Sequence, residues 1–343
     1  MLNGCDVTCR LTYEPTNMLS AAELSQHLRS CAETLIESLT PVLAAPEGFD
    51  SKAIFACIES AQSRCLSDLA GTTLWGKDNQ LPSSEFWQIA GSTVERGPLQ
   101  WHARAKPHGY SGDFEMLHRI ANNLLSQGKL EQEFDRFFQK QSAPHAVRSR
   151  TRLVAEAIKE TVASTRSTVR VASVGSGPAA DVRLALSELS TQERARLKIT
   201  LLDLDPYALE FAKSRIQEYN ANEELISYER VNLFRLPRNR HLTESLSDTN
   251  LVFCTGLFDY LEDHDAVQML RCLNSLTSQD GRLMVFNFEK DNPSRAYMEW
   301  FGNWYLIYRN QEDLNRLART ASLPPWKIRA DGTGYNLYID RQR

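Results

Sequence analysis

Several hallmarks of common protein classes are scarce or missing in this sequence. No apolar run approaches the roughly 18 residues of a membrane-crossing helix, so no span is expected. Lysine and arginine form no cluster or basic arm and the net charge is −4, which makes nucleic acid a poor partner. The 7 cysteines are odd in number, scattered, and include no C-x-x-C pair. A disulfide framework or a zinc site is therefore not expected, and reduced thiols are. The first residues, Met1-Leu-Asn-Gly-Cys-Asp6, lack the basic-then-apolar run of a secretory leader, so the expected location is cytoplasmic. The 343 residues suffice for one large or two ordinary domains.

What is present centres on residues 169–206. An apolar, β-branched run from Val169 to Val174 breaks into Gly175-Ser-Gly-Pro178 and then into a helical pattern. A second apolar run, Ile199-Thr-Leu-Leu202, ends in Asp203. The order is strand, glycine turn, helix, strand, acid. Gly175 and Gly177 allow a sharp turn and close approach of a ligand to the main chain. The helix start behind them favours an anionic group. A carboxylate ending the second strand can accept both hydroxyls of a ribose. The unit reads as a nucleoside-cofactor site, with a plain tight turn as the alternative for the two glycines alone.

A dinucleotide turn would carry a third glycine near Asp181, and none is there. The pattern instead resembles motif I of class I S-adenosylmethionine (SAM) methyltransferases, followed by the acidic Leu202-Asp-Leu-Asp-Pro206. It departs from that motif at Ser173, where an acid is usual, and at Ala179, where the last glycine would stand. The expected cofactor contacts here are Ser173, Gly175, Ser176, Gly177, Asp203 and Leu204.

Before this unit the spacing predicts helices. Residues 1–16 read as irregular, 20–45 as a helix capped by Ser20, 51–69 as a second, and 83–90 as a short third. The first hundred residues thus form a helical module, serving for packing and dimerisation or as a cap over the cofactor site. Residues 114–140 read as one helix with Phe134, Phe137 and Phe138 as a core stripe, and 145–164 as another. The boundary falls at Gln141-Ser-Ala-Pro144, giving a cap over 1–143 and a cofactor domain over 144–343. Within the loop Gly109-Tyr-Ser-Gly-Asp113, Asp113 either caps the next helix or accepts from the cofactor's ammonium. Tyr110 can lie against a sulfonium cation.

After Asp203 the pattern continues as alternating helix and strand, with strands at 225–231, 250–254 and 282–287 and a terminal hairpin from 326–331 and 334–340. The fold class is α/β: a Rossmann-like, doubly wound sheet of the class I methyltransferase type beneath an all-α cap. Strand ends at such a crevice supply ligand contacts. Asn232 and Leu233 are candidates for the adenine, Asn232 otherwise for capping a turn. Thr255 and Gly256 follow the fourth strand and Asn287 ends the fifth. The aromatic segment 292–309 is either packing against the module or the wall of an acceptor pocket, with Tyr305 and Arg309 available to a carboxylate.

Four further pieces extend the likeness: Gly109-Tyr-Ser-Gly-Asp113, Cys254-Thr-Gly-Leu-Phe-Asp-Tyr-Leu261, Asn292-Pro-Ser-Arg295 and Trp304-Tyr-Leu-Ile-Tyr-Arg309. Together they resemble a bacterial family of class I SAM-dependent methyltransferases whose named members make 3-hydroxypalmitic acid methyl ester, a quorum signal. The resemblance covers roughly residues 100–320. It implies SAM as cofactor, no metal, and methyl transfer to a small-molecule carboxylate in secondary metabolism. SAM cyclases that form azetidine-2-carboxylate are also similar. Cyclisation to methylthioadenosine, or SAM binding without turnover, are thus the alternatives. Candidate catalytic residues are Tyr110, Asp113, Asn287, Tyr305 and Arg309.

Overall fold

The computed structural model describes residues 20–219 and 225–342. The irregular stretch expected over 1–16, with Cys5 and Cys9, lies outside them. The helical half begins with α1 (Ala21–Ala44), where Ser20 and Glu23 form a reciprocal capping box, and α2 (Ser51–Ala70), capped by Asp50. Next come α3 (Gln80–Val94), longer than the spacing predicts, and α4 (Pro98–Ala105), opened by a proline at its first position.

The single helix expected over 114–140 is two, α5 (Phe114–Ala121) and α6 (Lys129–Lys140). Asn123 adopts a left-handed conformation, φ +50°, which ends the first. Fully buried Asp135 then ties the connection down. Its Oδ2 accepts from Ser126 N at 2.9 Å, Ser126 Oγ at 2.7 Å and Arg119 Nη2 at 3.2 Å. Phe134, Phe137 and Phe138 are buried in the module's core, as the stripe suggests.

The remaining elements are α7 (Ser142–Ser164), β1 (Val169–Val174), α8 (Ala180–Glu188), α9 (Thr191–Arg194), β2 (Leu197–Asp203), α10 (Pro206–Gln217), β3 (Ile226–Arg230), α11 (Arg240–Leu246), β4 (Thr249–Cys254), α12 (Asp263–Leu276), β5 (Thr277–Phe288), α13 (Gln311–Thr320), β6 (Lys327–Ala330) and β7 (Asn336–Gln342). They build one seven-stranded sheet in the order β3-β2-β1-β4-β5-β7-β6. The first five strands run parallel, and β7 is antiparallel to both β5 and β6.

Parallel strands must be covered on both faces, so they read as continuous apolar runs. Leu251 and Phe253 of β4 face a layer containing Val154, Val182 and Leu209, from α7, α8 and α10. Val252 and Cys254 face Ala266, Leu270 and Leu317, from α12 and α13. This is a Rossmann-like, doubly wound sheet, with a helix-rich N-terminal region set on it. No helix among the described residues is long and apolar enough to cross a membrane.

The segment after β5 joins the halves. Residues 297–301 form one π-helical turn whose Trp300 and Phe301 are wholly buried against Phe86 of α3. Burying an aromatic of this size stabilises by about 1.5–3 kcal/mol. Buried Glu299 accepts from Gly76 N at 2.7 Å and from Arg295 Nε at 2.8 Å, so even the charge inside this joint is satisfied.

Candidate active site

The glycine turn forms at the carboxyl end of β1, the strand between β2 and β4. Gly175 and Gly177 both take positive φ, +71° and +48°, where a side chain would be strained. The amides of Gly175 and Ser176 donate to Leu202 O, at 2.9 and 3.1 Å. Asp203 holds the turn from β2. Its Oδ2 accepts from Gly177 N at 2.7 Å and its Oδ1 from Asp205 N at 3.0 Å. Burial raises the Asp203 carboxyl above the ordinary range, against the pull of those amides. The hydroxyl of Ser176 is buried without a hydrogen-bond partner among the described residues.

A cavity of about 490 Å³ runs from this turn into the helical module. One end is lined by Gly175, Gly177, Asp203, Leu204, Leu233 and Phe234. The other is apolar, with Ile120, Phe138, Val147, Phe288, Tyr297 and Met298. The loop 109–113 lies over the passage between them. Tyr110 OH donates to Asp205 Oδ2 at 2.7 Å. Tyr260 OH accepts from Trp304 Nε1 at 2.8 Å and donates to Ser111 O at 3.2 Å. Gly112 (φ +69°) packs so closely that a Cβ there would meet the Trp304 ring at 2.6 Å. Burial raises both phenols above the ordinary tyrosine range, so both stay protonated and able to donate.

Behind the passage lie two buried arginines on either side of Asp259. Arg309 has a partner for every N–H. It donates to Phe258 O at 2.8 Å, Asn287 Oδ1 at 2.7 Å, Leu261 O at 2.5 Å and, twice, to Asp263 Oδ1 at 3.2 and 2.9 Å. Arg150, only 6% exposed, lines the cavity and makes no hydrogen bond among the described residues. Its Nη1 stands 3.9 Å from Asp259 Oδ2, and its guanidinium lies 5.5 Å from the Phe288 ring centre. Asp259 Oδ1 is occupied, accepting from Phe288 N at 2.7 Å and Asn287 Nδ2 at 3.0 Å. Burial pushes the Asp259 carboxyl up to about 6, opposed by Arg150.

The residues expected from sequence separate into two groups. Gly175, Gly177, Asp203, Leu204, Leu233, Gly256 and Tyr110 all line the cavity. Ser173, Ser176, Asn232 and Thr255 sit nearby but not in its wall. Asn232 accepts from Phe234 N at 3.1 Å and so caps a turn. Of the catalytic candidates, only Tyr110 lines the cavity. Asp113 is the N-cap of α5, accepting from Met116 N at 2.9 Å, and pairs with buried His102 at 2.8 Å. Asn287 and Arg309 are consumed by the network just described. Tyr305 lies beside Arg104, away from the cavity. Arg150, Asp259, Tyr260 and Trp304 were missed. Arg150 did leave a signal: it falls on the buried face of α7, in step with Val147, Val154 and Ile158. A charge on an apolar stripe asks for a partner.

No family model matches the chain, and no curated protein matches it significantly. Solved structures do. A candidate exported protein from Bordetella parapertussis aligns over 96% of this chain and 99% of its own, with 16% identity and a TM-score of 0.57. That shows a shared fold through the helical module and the sheet together. Weaker likenesses include the S-adenosylmethionine-dependent methyltransferase SibL (17% identity, 93% and 96% covered, TM-score 0.47). Magnesium protoporphyrin IX methyltransferase from Synechocystis is another (15%, 67% and 94%, TM-score 0.47).

Proposed function

We propose that the protein is a SAM-dependent methyltransferase acting on a small, largely apolar acceptor that carries a carboxylate. The observation that carries this reading is the continuity of the cavity: one passage links the glycine turn and Asp203 to an apolar chamber. Its volume is in the range of small-molecule sites. Asp203 has carboxylate lone pairs beyond those used by its two amide donors, enough to accept from ribose hydroxyls. Leu204, Leu233 and Phe234 offer apolar surface to an adenine.

When bound, SAM supplies an activated methyl on a sulfonium, so the chain has no hard bond to break by itself. The work left to its residues is positioning and exclusion of water. The loop 109–113, pinned by Tyr110 and Tyr260, closes the passage. The apolar chamber seats the acceptor's body. A carboxylate acceptor is ionised at neutral pH and needs no general base.

The test is mass spectrometry of the purified protein incubated with methyl-labelled SAM, with and without a bacterial lipid and metabolite extract. S-adenosylhomocysteine formed only with extract, and a labelled methyl ester, is the expected result. Methylthioadenosine formed from SAM alone would replace this reading with intramolecular cyclisation.

A further inference from the structure

An arginine stays charged at any ordinary pH, and its five donors suit planar, two-oxygen anions. A buried charge without hydrogen bonds is costly. The chain has solved this problem completely for Arg309, whose donors are all satisfied, but at Arg150 it supplies only a countercharge and no hydrogen bond among the described residues. The neighbouring acid does not resolve it, because Asp259 Oδ2 stands at 3.9 Å, beyond hydrogen-bond reach. What distinguishes Arg150 is that it lines the cavity, whereas Arg309 does not.

We propose that Arg150 is the carboxylate receptor of this cavity, the residue that binds and orients a ligand carboxylate beside Gly256. A fork-to-fork pair would satisfy two of its donors at once. Gly256 keeps that approach open: a Cβ there would already sit 3.6 Å from Arg150 Nη2. Asp259 Oδ2, which faces Arg150 at 3.9 Å, adds an acceptor next to the guanidinium, so a carboxylate with a neighbouring ammonium finds both charges matched.

Two ligands in the proposed function carry a carboxylate: the amino-acid end of SAM and the acceptor. The inference rests on that reading for the choice between them. Strand order favours SAM. With ribose at the end of β2 and adenine towards β3, the amino-acid end is directed across β1 to β4, where Gly256 and Arg150 lie.

The test is calorimetric binding of S-adenosylhomocysteine, methylthioadenosine and dodecanoate to wild type, Arg150→Met and Arg150→Lys. Methylthioadenosine keeps the nucleoside but lacks the amino-acid end. Arg150→Met is expected to bind S-adenosylhomocysteine about 30-fold more weakly, the effect of losing a charge-assisted pair. Its affinity for methylthioadenosine should not change, and Arg150→Lys should fall between. Unchanged S-adenosylhomocysteine binding with weakened dodecanoate would assign the carboxylate to the acceptor. A wild type that binds neither nucleoside would sink the SAM reading, and dodecanoate alone would then decide Arg150.

Folding gives an independent check. Arg150→Met removes the countercharge 3.9 Å from buried Asp259 and is expected to lower the melting temperature, whereas Arg150→Lys keeps that charge and should stay close to wild type. A lowered melting temperature with every affinity intact in Arg150→Lys would make the residue structural and overturn the proposal. So would variants as stable as wild type that bind all three ligands equally well.

Discussion

The Tyr110 hydroxyl donates to Asp205 Oδ2 at 2.7 Å, bridging the loop before α5 and the turn that follows β2. This bond joins the helical half to the edge of the glycine turn, since Asp205 N in turn donates to Asp203. Tyr110 is partly exposed and belongs to no buried core, so the bond bears on loop closure more than on folding. Tyr110→Phe is expected to leave stability within about 0.5 kcal/mol of wild type, as for most surface changes. Ligand affinity should weaken roughly fivefold, because one net hydrogen bond of about 1 kcal/mol no longer favours the closed loop. Parallel urea unfolding and S-adenosylhomocysteine titration would check this. A large loss of stability without loss of affinity would mean the contact is architectural.

Arg309 should behave in the opposite way. Its five hydrogen bonds hold Phe258 O, Leu261 O, Asn287 and Asp263, and through Asn287 the buried carboxyl of Asp259. Arg309→Met strands these acceptors. Breaking such a buried network typically costs about 3–5 kcal/mol. The variant is therefore expected to lose stability on that scale in chemical denaturation. A stable variant with normal cofactor binding and no turnover would instead return Arg309 to the acceptor role expected from sequence.

The contrast between the two arginines shows what was legible beforehand. The alternation of apolar runs and helical spacing placed β1 to β4, α1, α2 and the glycine turn to within a residue or two, because each pattern is local; β5 starts five residues before the expected 282 and α4 was not expected. Asp203 and Gly256 could be expected at the cavity they line because strand ends in a doubly wound sheet converge by topology. Which polar residue faces the cavity is decided by tertiary packing. Asn287 lies next to the last residue of β5, close to where it was expected, yet its side chain turns away from the cavity into the Asp259–Arg309 network. Asp113 and Asn232 were each open to a capping role, and each does cap. The division of residues 114–140 into α5 and α6 depends on Asp135 reaching back to Ser126, a contact that no periodicity reports.

Asp181 offers a pH-dependent test. It is buried in the first turn of α8, and burial pushes its carboxyl up to about 6 despite the Val182 amide and Arg150. Its ordinary value is 3.8. The folded state thus holds the proton more tightly than the unfolded chain. Stability tied to the protonated form is fully present below about pH 4 and is lost as pH rises through about 6. Asp181→Asn keeps an oxygen for Val182 N and removes the charge. It is expected to be more stable than wild type at pH 7, by on the order of 3 kcal/mol from the standard conversion of a pKa difference. The gap should close as the pH falls to 4. Denaturation curves at the two pH values decide it, and a gap that is constant or widens at low pH would contradict the burial argument.

Ala179 stands where the SAM motif has a glycine, and the backbone shows the consequence. Its φ and ψ are 49° and 42°, the left-handed region, at the start of α8. An L-residue there carries about 1–2 kcal/mol of strain that glycine does not. Ala179 is also wholly buried, and its methyl contributes about 0.8 kcal/mol by burial. Glycine adds freedom to the unfolded chain as well, so these effects nearly cancel. Ala179→Gly should therefore be close to neutral. Ala185, equally buried but within α8, is the control. Ala185→Gly loses a comparable methyl and adds about 1 kcal/mol of helix propensity with no strain to relieve. The two substitutions should differ by about 2 kcal/mol in urea unfolding, with position 179 the milder. Equal losses would show that the left-handed turn is not strained, and that Ala179 is held by packing that outweighs the backbone preference.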